Sequence, residues 1–246
     1  MAEETRPRDE FVQSLARGLS VIAAFDADHP SMTLSEVAAQ TSLSRAAARR
    51  FLHTLVELGY VRADGRVFAL TPQVLRLGTS YLSGLGLPAI AQPHLERLSA
   101  VVGESTSAAI LDGHDIVYVA RAATRRIMSV GIAVGTRFPA HATSMGRVLL
   151  ASLEPDDLET YLSTVELTPL TERTISDPST LRDEIDTVRR RGWCVVDQEL
   201  EAGLRSIAVS VRREGRPVAA VNVSTSVAAS DLASLTQQHL EPLQAT

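Results

Sequence analysis

Two short amphipathic stretches, separated by only three residues, restrict the fold of this chain more than any other feature. They lie in TLSEVAAQTSLSRAAARRFLHTLVELGY, where TSL separates them. Thr33 and Glu36 form the T-x-x-E pair of a capping box, which predicts the start of a first short helix. Ser44 is a suitable N-cap for a second helix that ends before Gly59. Two helices joined by so short a turn predict a helix-turn-helix motif.

The second of these helices has two chemically different faces. Its apolar residues at helical spacing, which predict a buried stripe, are Ala48, Phe51, Leu52, Leu55 and Leu58. Arg45, Arg49 and His53 follow one another at intervals of four on the opposite side, with Arg50 beside them. Between residues 34 and 78 six arginines stand against three acidic residues, although the whole chain has a net charge of −5. This local excess of positive charge favours a polyanionic partner.

The sequence YVRADGRVFAL, directly after the second helix, predicts a β-hairpin. Asp64-Gly65 lies between two runs of strand-forming residues and favours a type I′ turn, which needs positive φ at both central residues. Helix, turn, helix and basic hairpin in this order predict a winged helix-turn-helix that contacts DNA. Arginine suits this task because its planar fork pairs with guanine edges or with phosphates. The predicted DNA-contacting residues are Ser44, Arg45, Ala46, Arg49, Arg50, His53, Arg62 and Arg66.

A linker helix is predicted after the hairpin. Pro72 suits the first turn of a helix, and the helical pattern continues to Gly86. The apolar residues of this helix are Val74, Leu77, Tyr81 and Leu85. Because such a stripe has to be covered by a domain or by a second copy of the helix, it also predicts self-association.

The remainder of the chain mixes strand and helix patterns. Strand-like alternation occurs in STSAAILDG, DIVYVARAA, RIMSVGI and WCVVDQEL, and a second hairpin is predicted at Glu214-Gly215. Helical periods occur in AIAQPHLERLSAVVG, TSMGRVLLASL and PSTLRDEIDTVRRRG. The predicted fold class is therefore α+β. We expect a winged helix-turn-helix domain at 1–71, a linker helix at 72–86 and a second domain with a mostly antiparallel sheet at 87–246.

Composition argues against several classes of protein. Hydrophobic residues make up 45% of the chain, and no apolar run approaches the roughly 18 residues of a membrane span. Cys194 is the single cysteine, so an internal disulfide is impossible, and the N-terminal residues lack the apolar core of a secretory signal. These features predict a cytoplasmic protein without membrane association. The six histidines lack metal-ligand spacing, so no metal or cofactor is expected.

Six strings in the order found here resemble the IclR family of bacterial transcription regulators. They are SLARGLSVIAAF, LSEVAAQTSLSRAAARRFLHTLVELGYV, GRVFALTPQVLRLG, PAHATSMGRVLLASL, RRRGWCVVDQELEAGLRSIAVSVR and GRPVAAVNVS. Within the family, SRAAARRFLHTL and HATSMGRVLLA look most like regulators of aromatic-acid breakdown through the protocatechuate and β-ketoadipate routes. The resemblance implies a homodimer or homotetramer that binds operator DNA. It also implies that the second domain is similar to GAF and PAS sensors and binds a small effector.

The resemblance places the effector pocket between the loop PAHATSMG and the late strands. The implied polar and loop residues are Ser144, Met145, Gly146, Asp197, Ser206, Asn222 and Ser224. The expected apolar walls are Met128, Met145 and Val221. Main-chain N–H groups of residues 144–146, at the start of a helix, are expected to receive an anion. Such a combination of N–H groups, polar side chains and apolar walls suits a small carboxylic acid, such as an aromatic hydroxy acid or β-ketoadipate.

Two other functions are weighed against a regulator. A serine hydrolase would use Ser144 as nucleophile near His141, but the elbow G-x-S-x-G needs glycine where Ala142 stands. Arg147 likewise cannot act as the base of an S-x-x-K arrangement, because arginine keeps its proton. An interaction module without DNA or ligand leaves the basic helix and hairpin unexplained. We therefore predict a regulator without catalytic residues.

Overall fold

The computed structural model describes residues 11–26, 28–124 and 132–246. Contacts divide the chain into two compact units, Met1–Gly84 and Leu85–Thr246. Residues 126–131 of the strand predicted for RIMSVGI, which include the expected wall residue Met128, lie outside the described residues, and Ile132 at its end is described but is not in a strand. Within the described ranges no helix is long and apolar enough to cross a membrane.

The first unit packs three helices against a small antiparallel sheet. Its elements are α1 (Gln13–Ala23), β1 (Met32–Thr33), α2 (Leu34–Gln40), α3 (Arg45–Glu57), β2 (Val61–Asp64) and β3 (Val67–Leu70). The strand order is β1-β3-β2. A single turn of 3-10 helix at Pro72–Val74 then leads into α4 (Leu75–Leu85). The core is formed mainly by Val21, Val37, Leu52 and Leu55.

Local capping explains where α2 and α3 begin. The Thr33 hydroxyl accepts a hydrogen bond from the Glu36 main chain, and the Glu36 carboxylate accepts one from the Thr33 main chain. The Ser44 hydroxyl accepts from the Ala47 N–H at 3.2 Å. Both predicted helix starts are confirmed. Leu58 differs from its prediction: α3 ends at Glu57, and the Leu58 side chain is 57% exposed.

The hairpin after α3 turns one residue later than predicted. Asp64 pairs with Val67, so Gly65 and Arg66 are the two central residues of the turn. Only Gly65 has positive φ, at 61°. Positive φ at the first central residue alone is the type II′ pattern, which glycine favours there. Arg66 therefore lies at the tip of the hairpin rather than beside it.

A six-stranded antiparallel sheet forms the centre of the second unit. Its strands are β4 (Ser105–Asp112), β5 (Asp115–Ala122), β6 (Arg137–Pro139), β7 (Trp193–Asp197), β8 (Leu204–Arg213) and β9 (Arg216–Ser226). Their order across the sheet is β6-β5-β4-β9-β8-β7. The helices are α5 (Leu87–Val102), α6 (Ser144–Leu150), α7 (Pro155–Thr164), α8 (Pro178–Arg191) and α9 (Leu232–Gln244). The predicted α+β class with an antiparallel sheet is confirmed.

The two faces of this sheet have different coverings. On one face, which we call the α6 face, Ala109, Tyr118 and Ala208 join the core that contains Met145 and Leu150 of α6. The opposite face packs against α5 and α9, as the hydrogen bond from the Thr106 hydroxyl to the Leu95 carbonyl shows. Successive residues of a strand point to opposite faces, so strand position decides which covering a side chain meets.

Candidate functional site

The arginine side of α3 faces outward in the first unit. All eight residues predicted to contact DNA are exposed, whereas Ala48, Leu52 and Leu55 are buried on the other side of the helix. Arg45 and Arg49 form no ion pair with any described residue. The guanidinium groups of Arg45 and Arg49 are therefore available to bind an external partner.

Arg50 has different neighbours from the other two arginines of α3. It lines a shallow depression together with Phe51 and Thr54 of its own helix and with Gln13 and Arg17 of α1. The basic surface thus extends from α3 to the first helix. The sequence pattern did not indicate this contribution from Arg17, because it depends on how α1 packs across α3.

A narrow cavity on the α6 face brings together four of the predicted effector residues. Its polar lining includes Ser144, Ser206, Asn222 and Ser224. The apolar part of the lining includes Tyr118, Ile132, Val196, Leu200 and Leu204. The cavity has room for about one water molecule, so an organic ligand can enter only if part of this lining moves.

The polar side chains of this cavity are held by one another. The Ser144 and Ser206 hydroxyls are hydrogen-bonded at 2.7 Å, and the Asn222 amide donates to the Ser224 hydroxyl at 2.9 Å. Asn222 Oδ1 is buried and has no hydrogen-bond partner among the described residues. A buried acceptor without a partner is costly, so this oxygen favours a ligand that supplies a donor.

Asp197 and Val221 lie on the opposite face of the sheet. Asp197 directly follows Val196, and Val221 directly precedes Asn222; Val196 and Asn222 both line the cavity. Because successive strand residues point to opposite faces, the side chains of Asp197 and Val221 point away from it. Val221 lines a separate apolar cavity beside α5 and α9. Asp197 instead accepts hydrogen bonds from Arg205 and Arg173. Although burial opposes the shift, the bond from Arg205 lowers the pKa of Asp197.

Met145 and Gly146 also differ from the expected arrangement. The Met145 side chain is packed in the core behind the cavity and does not line it. The Gly146 N–H donates to the Thr143 hydroxyl at 3.1 Å, so this N-cap occupies a donor that was expected to receive an anion. A Cβ on Gly146 would lie 2.1 Å from the Ala140 carbonyl oxygen. Close packing against Ala140 therefore requires glycine at this position.

Among the described residues, Ser144 has no general base as a hydrogen-bond partner. Its hydroxyl contacts Ser206, whereas His141 Nε2 lies 3.3 Å from the Thr168 carbonyl oxygen. Burial lowers the pKa of His141. Among the described residues no group of three or more His, Cys, Asp or Glu could hold a metal ion.

The sequence reasoning missed two residues of the α6 face. Tyr118 lines the cavity, and burial raises its pKa to about 12. Arg121 lies on the same face, in register with Ser107 on the neighbouring strand. Strict alternation in DIVYVARAA would place Tyr118 and Arg121, three residues apart, on opposite faces. The register shift in the pairing of β5 with β4, between Ala108 and Ala109, brings both to the α6 face.

Comparisons with known proteins agree on one family. The IclR helix-turn-helix domain matches residues 14–65, and the family described as "Bacterial transcriptional regulator IclR C-terminal" matches residues 79–246. The chain is 48% identical over 238 residues to the Pca regulon regulatory protein of Pseudomonas putida, covering 96% of this chain and 82% of that protein.

Two solved structures have the same fold over nearly the whole chain. A transcriptional regulator from Rhodococcus sp. RHA1 superposes with a TM-score of 0.84 at 58% identity, covering 96% of this chain and 95% of that chain. An IclR homolog from Microbacterium hydrocarbonoxydans, complexed with 4-hydroxybenzoate, gives a TM-score of 0.77 at 27% identity. That superposition covers 95% of this chain and 100% of the homolog.

Proposed function

This chain belongs to the IclR family of bacterial transcriptional regulators, and we propose that it controls aromatic-acid catabolic genes in response to a small aromatic hydroxy acid. It is a DNA-binding regulator and not an enzyme. The observation that carries the effector part of the proposal is the polar cavity on the α6 face, where buried hydroxyl and amide groups lie among apolar walls. The cytoplasm, where genomic DNA lies, is the proposed compartment.

The DNA-binding part of the proposal assigns operator contacts to α3 and the hairpin. Arg45, Arg49 and Arg50 are exposed on α3, and Arg62 and Arg66 are exposed on the hairpin. Guanidinium groups on a helix of this size can enter the major groove, while those on the hairpin reach the flanking phosphates. We assign residues 1–71 to operator binding, 72–86 to the linker helix and 87–246 to effector binding.

Two observations support an aromatic hydroxy acid as the effector. The structural neighbour from Microbacterium hydrocarbonoxydans is complexed with 4-hydroxybenzoate, and the relative from Pseudomonas putida is named for the Pca regulon. In this chain, the cavity supplies hydroxyls from Ser144 and Ser206, and an amide oxygen of Asn222 that has no partner in the part of the chain that the structure describes. Leu200, in the loop after β7, and Leu204, at the start of β8, also line the cavity, so ligand entry requires part of this lining to move.

Self-association completes the proposal, because one winged helix covers only half of a symmetric operator. Exposed apolar side chains occur on two helices of the first unit. On α4 these include Leu77 and Tyr81, which are 53% and 55% exposed. On α1 they include Leu15 and Leu19, which are 63% and 53% exposed. Both surfaces are suited to burial against a second copy of the chain, giving a homodimer or homotetramer.

A genomic-fragment pull-down followed by fluorescence anisotropy tests the proposal. The full chain is expected to select a promoter fragment, and 4-hydroxybenzoate or protocatechuate is expected to change its affinity for that fragment. Ser206→Val combined with Asn222→Leu should remove the response to the acid and leave DNA binding unchanged. Arg49→Ala combined with Arg50→Ala should remove DNA binding and leave the acid-induced rise in melting temperature. The effector assignment is wrong if neither acid affects melting or DNA binding.

A further inference from the structure

We propose that Arg121 binds the carboxylate of the effector, an inference that rests on the proposed function of the α6-face cavity. Arg121 on β5 pairs with Ser107 on β4, and Ser107 pairs in turn with Asn222 on β9. Side chains that are directly opposite each other on paired strands share a face of the sheet. Arg121, Ser107 and Asn222 therefore form one row on the same face as the cavity.

The guanidinium of Arg121 is only partly satisfied. Its Nη1 donates to the Ser107 hydroxyl at 3.2 Å, while its Nε is buried without a hydrogen-bond partner among the described residues. No described carboxylate forms an ion pair with it. Burial lowers the pKa of Arg121, yet arginine keeps its proton at neutral pH. A half-buried cation without an anion is unfavourable, and a ligand carboxylate would supply the missing charge.

Arg121 is a neighbour of the cavity lining through Tyr118. Burial of the Tyr118 phenol raises its pKa, and the nearby positive charge of Arg121 opposes that shift. Tyr118 itself lines the cavity. Opening the cavity past Ser107 would therefore extend it to the guanidinium.

The two atoms at the ends of this row that have no hydrogen-bond partner among the described residues are chemically complementary to a hydroxy acid. Arg121 Nε is a donor that needs an acceptor, and Asn222 Oδ1 is an acceptor that needs a donor. They lie on strands separated by β4, and thus by about 10 Å of sheet. A ligand with a carboxylate at one end and a hydroxyl at the other can satisfy both atoms. The row thus favours hydroxybenzoates over acids without a hydroxyl group.

Isothermal titration of the full chain with 4-hydroxybenzoate and its neutral analogue 4-hydroxybenzamide tests the role of Arg121. The parent should bind the acid more tightly than the amide. Arg121→Gln should weaken binding of the acid by about thirtyfold or more and leave binding of the amide unchanged. Arg121→Lys keeps the charge and should retain most of the preference for the acid. Arg137→Gln is the matched control, because Arg137 pairs with Asp112 and Asp115 at the exposed end of the sheet.

The outcomes separate the two proposals. If the parent binds the acid and Arg121→Gln binds it equally well, the carboxylate lies elsewhere and only the assignment of Arg121 is wrong. If the parent binds neither compound, the proposed effector class is wrong, and the assignment of Arg121 to the effector carboxylate is then wrong as well. Should Arg121→Gln not fold, the comparison moves to Arg121→Lys and Ser107→Ala. A folded Arg121→Lys that binds the acid and the amide more weakly by the same factor would indicate a purely structural role for Arg121 and would overturn the inference.

Discussion

Arg147 and Glu199 form a buried bidentate ion pair that joins α6 to the loop after β7. Arg147 Nη1 donates to Glu199 Oε1 at 2.8 Å, and Arg147 Nη2 donates to the other carboxylate oxygen. Arg147 is 2% exposed, and its Nε donates to the His141 carbonyl at 2.8 Å. Residues adjoining both partners line the cavity: Ser144 lies one turn before Arg147, and Leu200 follows Glu199. The pair therefore holds the two sides of the cavity in a defined position.

Breaking this pair from one side should destabilise the second unit strongly. Glu199→Gln or Arg147→Met leaves one buried charge without its partner, which typically costs about 3 to 5 kcal/mol. The double variant Arg147→Met/Glu199→Leu should recover much of the loss, because it removes both charges. Trp193 is the single tryptophan and lies on β7, so its fluorescence during urea unfolding reports on this unit. Equal unfolding free energies for parent and single variants would show that the pair contributes little.

Gly146→Ala should destabilise the chain for a steric reason. The new Cβ would lie 2.1 Å from the Ala140 carbonyl oxygen, and such overpacking against backbone costs about 1 to 3 kcal/mol or more. Gly78→Ala is the control: it is an α4 position with no atom within 4 Å of the added Cβ, and alanine favours helix there by roughly 1 kcal/mol. Circular dichroism during thermal unfolding measures both. A Gly146→Ala variant as stable as Gly78→Ala contradicts the packing account.

The features that the sequence predicted well are those set by neighbouring residues. The capping box of Thr33 and Glu36 and the cap at Ser44 lie within one turn of the helices that they start, so spacing alone identified them. The hairpin turn was displaced by one residue, because its register depends on the pairing of Asp64 with Val67. Local pattern thus located α2, α3 and the hairpin of the first unit and left the pairing details open.

The predictions for the cavity depended on information that lies far apart in the sequence. Serine, asparagine and valine alternate along β9, and only the register with β8 and β4 shows that Asn222 faces α6 while Val221 faces away. From the sequence alone, Arg121 is indistinguishable from a solvent-exposed arginine. Only the pairing of β5 with β4 places it beside Ser107 on the α6 face. The partner of Arg147 is 52 residues away, beyond any helical or strand period. Tertiary pairing, which periodicity does not encode, decides these positions.

Acidification should destabilise the second unit through two buried histidines. Burial lowers the pKa of His141 and of His239 below the ordinary value of 6.5. Above pH 6.5 the folded and unfolded states both hold these rings neutral, and the stability is fully present. As the pH falls below 6.5 the unfolded chain takes up protons first, so stability decreases until the folded-state pKa values are reached.

Urea unfolding at pH 7.5, 6.5 and 5.5, followed by Trp193 fluorescence, measures this dependence. His141→Gln combined with His239→Gln should reduce the loss of stability between pH 6.5 and 5.5. His53→Gln, at an exposed position on α3, should leave it unchanged. The histidine account is wrong if the double variant loses as much stability as the parent.

Arg66 should behave as a phosphate contact, because it lies exposed at the tip of the hairpin. Arg66→Ala is expected to weaken binding to all DNA sequences by a similar factor. It should also reduce the slope of log affinity against log salt by about one. Arg216→Ala is the matched control, since Arg216 is an exposed arginine at the other hairpin, in the second unit. A selective loss of operator binding in Arg66→Ala, with an unchanged salt slope, would assign this residue to base contact instead.

Disrupting the apolar stripe of α4 should produce a monomer that binds DNA poorly. Leu77→Glu combined with Tyr81→Glu places two charges on a surface that we expect a second copy to cover, so association would require burying unpaired carboxylates. Operator affinity should then fall about a hundredfold or more, because the two half-sites are no longer bound by linked domains. Light scattering and fluorescence anisotropy measure the two effects. Leu232→Glu, an exposed position on α9, should leave both unchanged. A parent chain that is monomeric at micromolar concentration, with and without operator DNA, would refute self-association through α4.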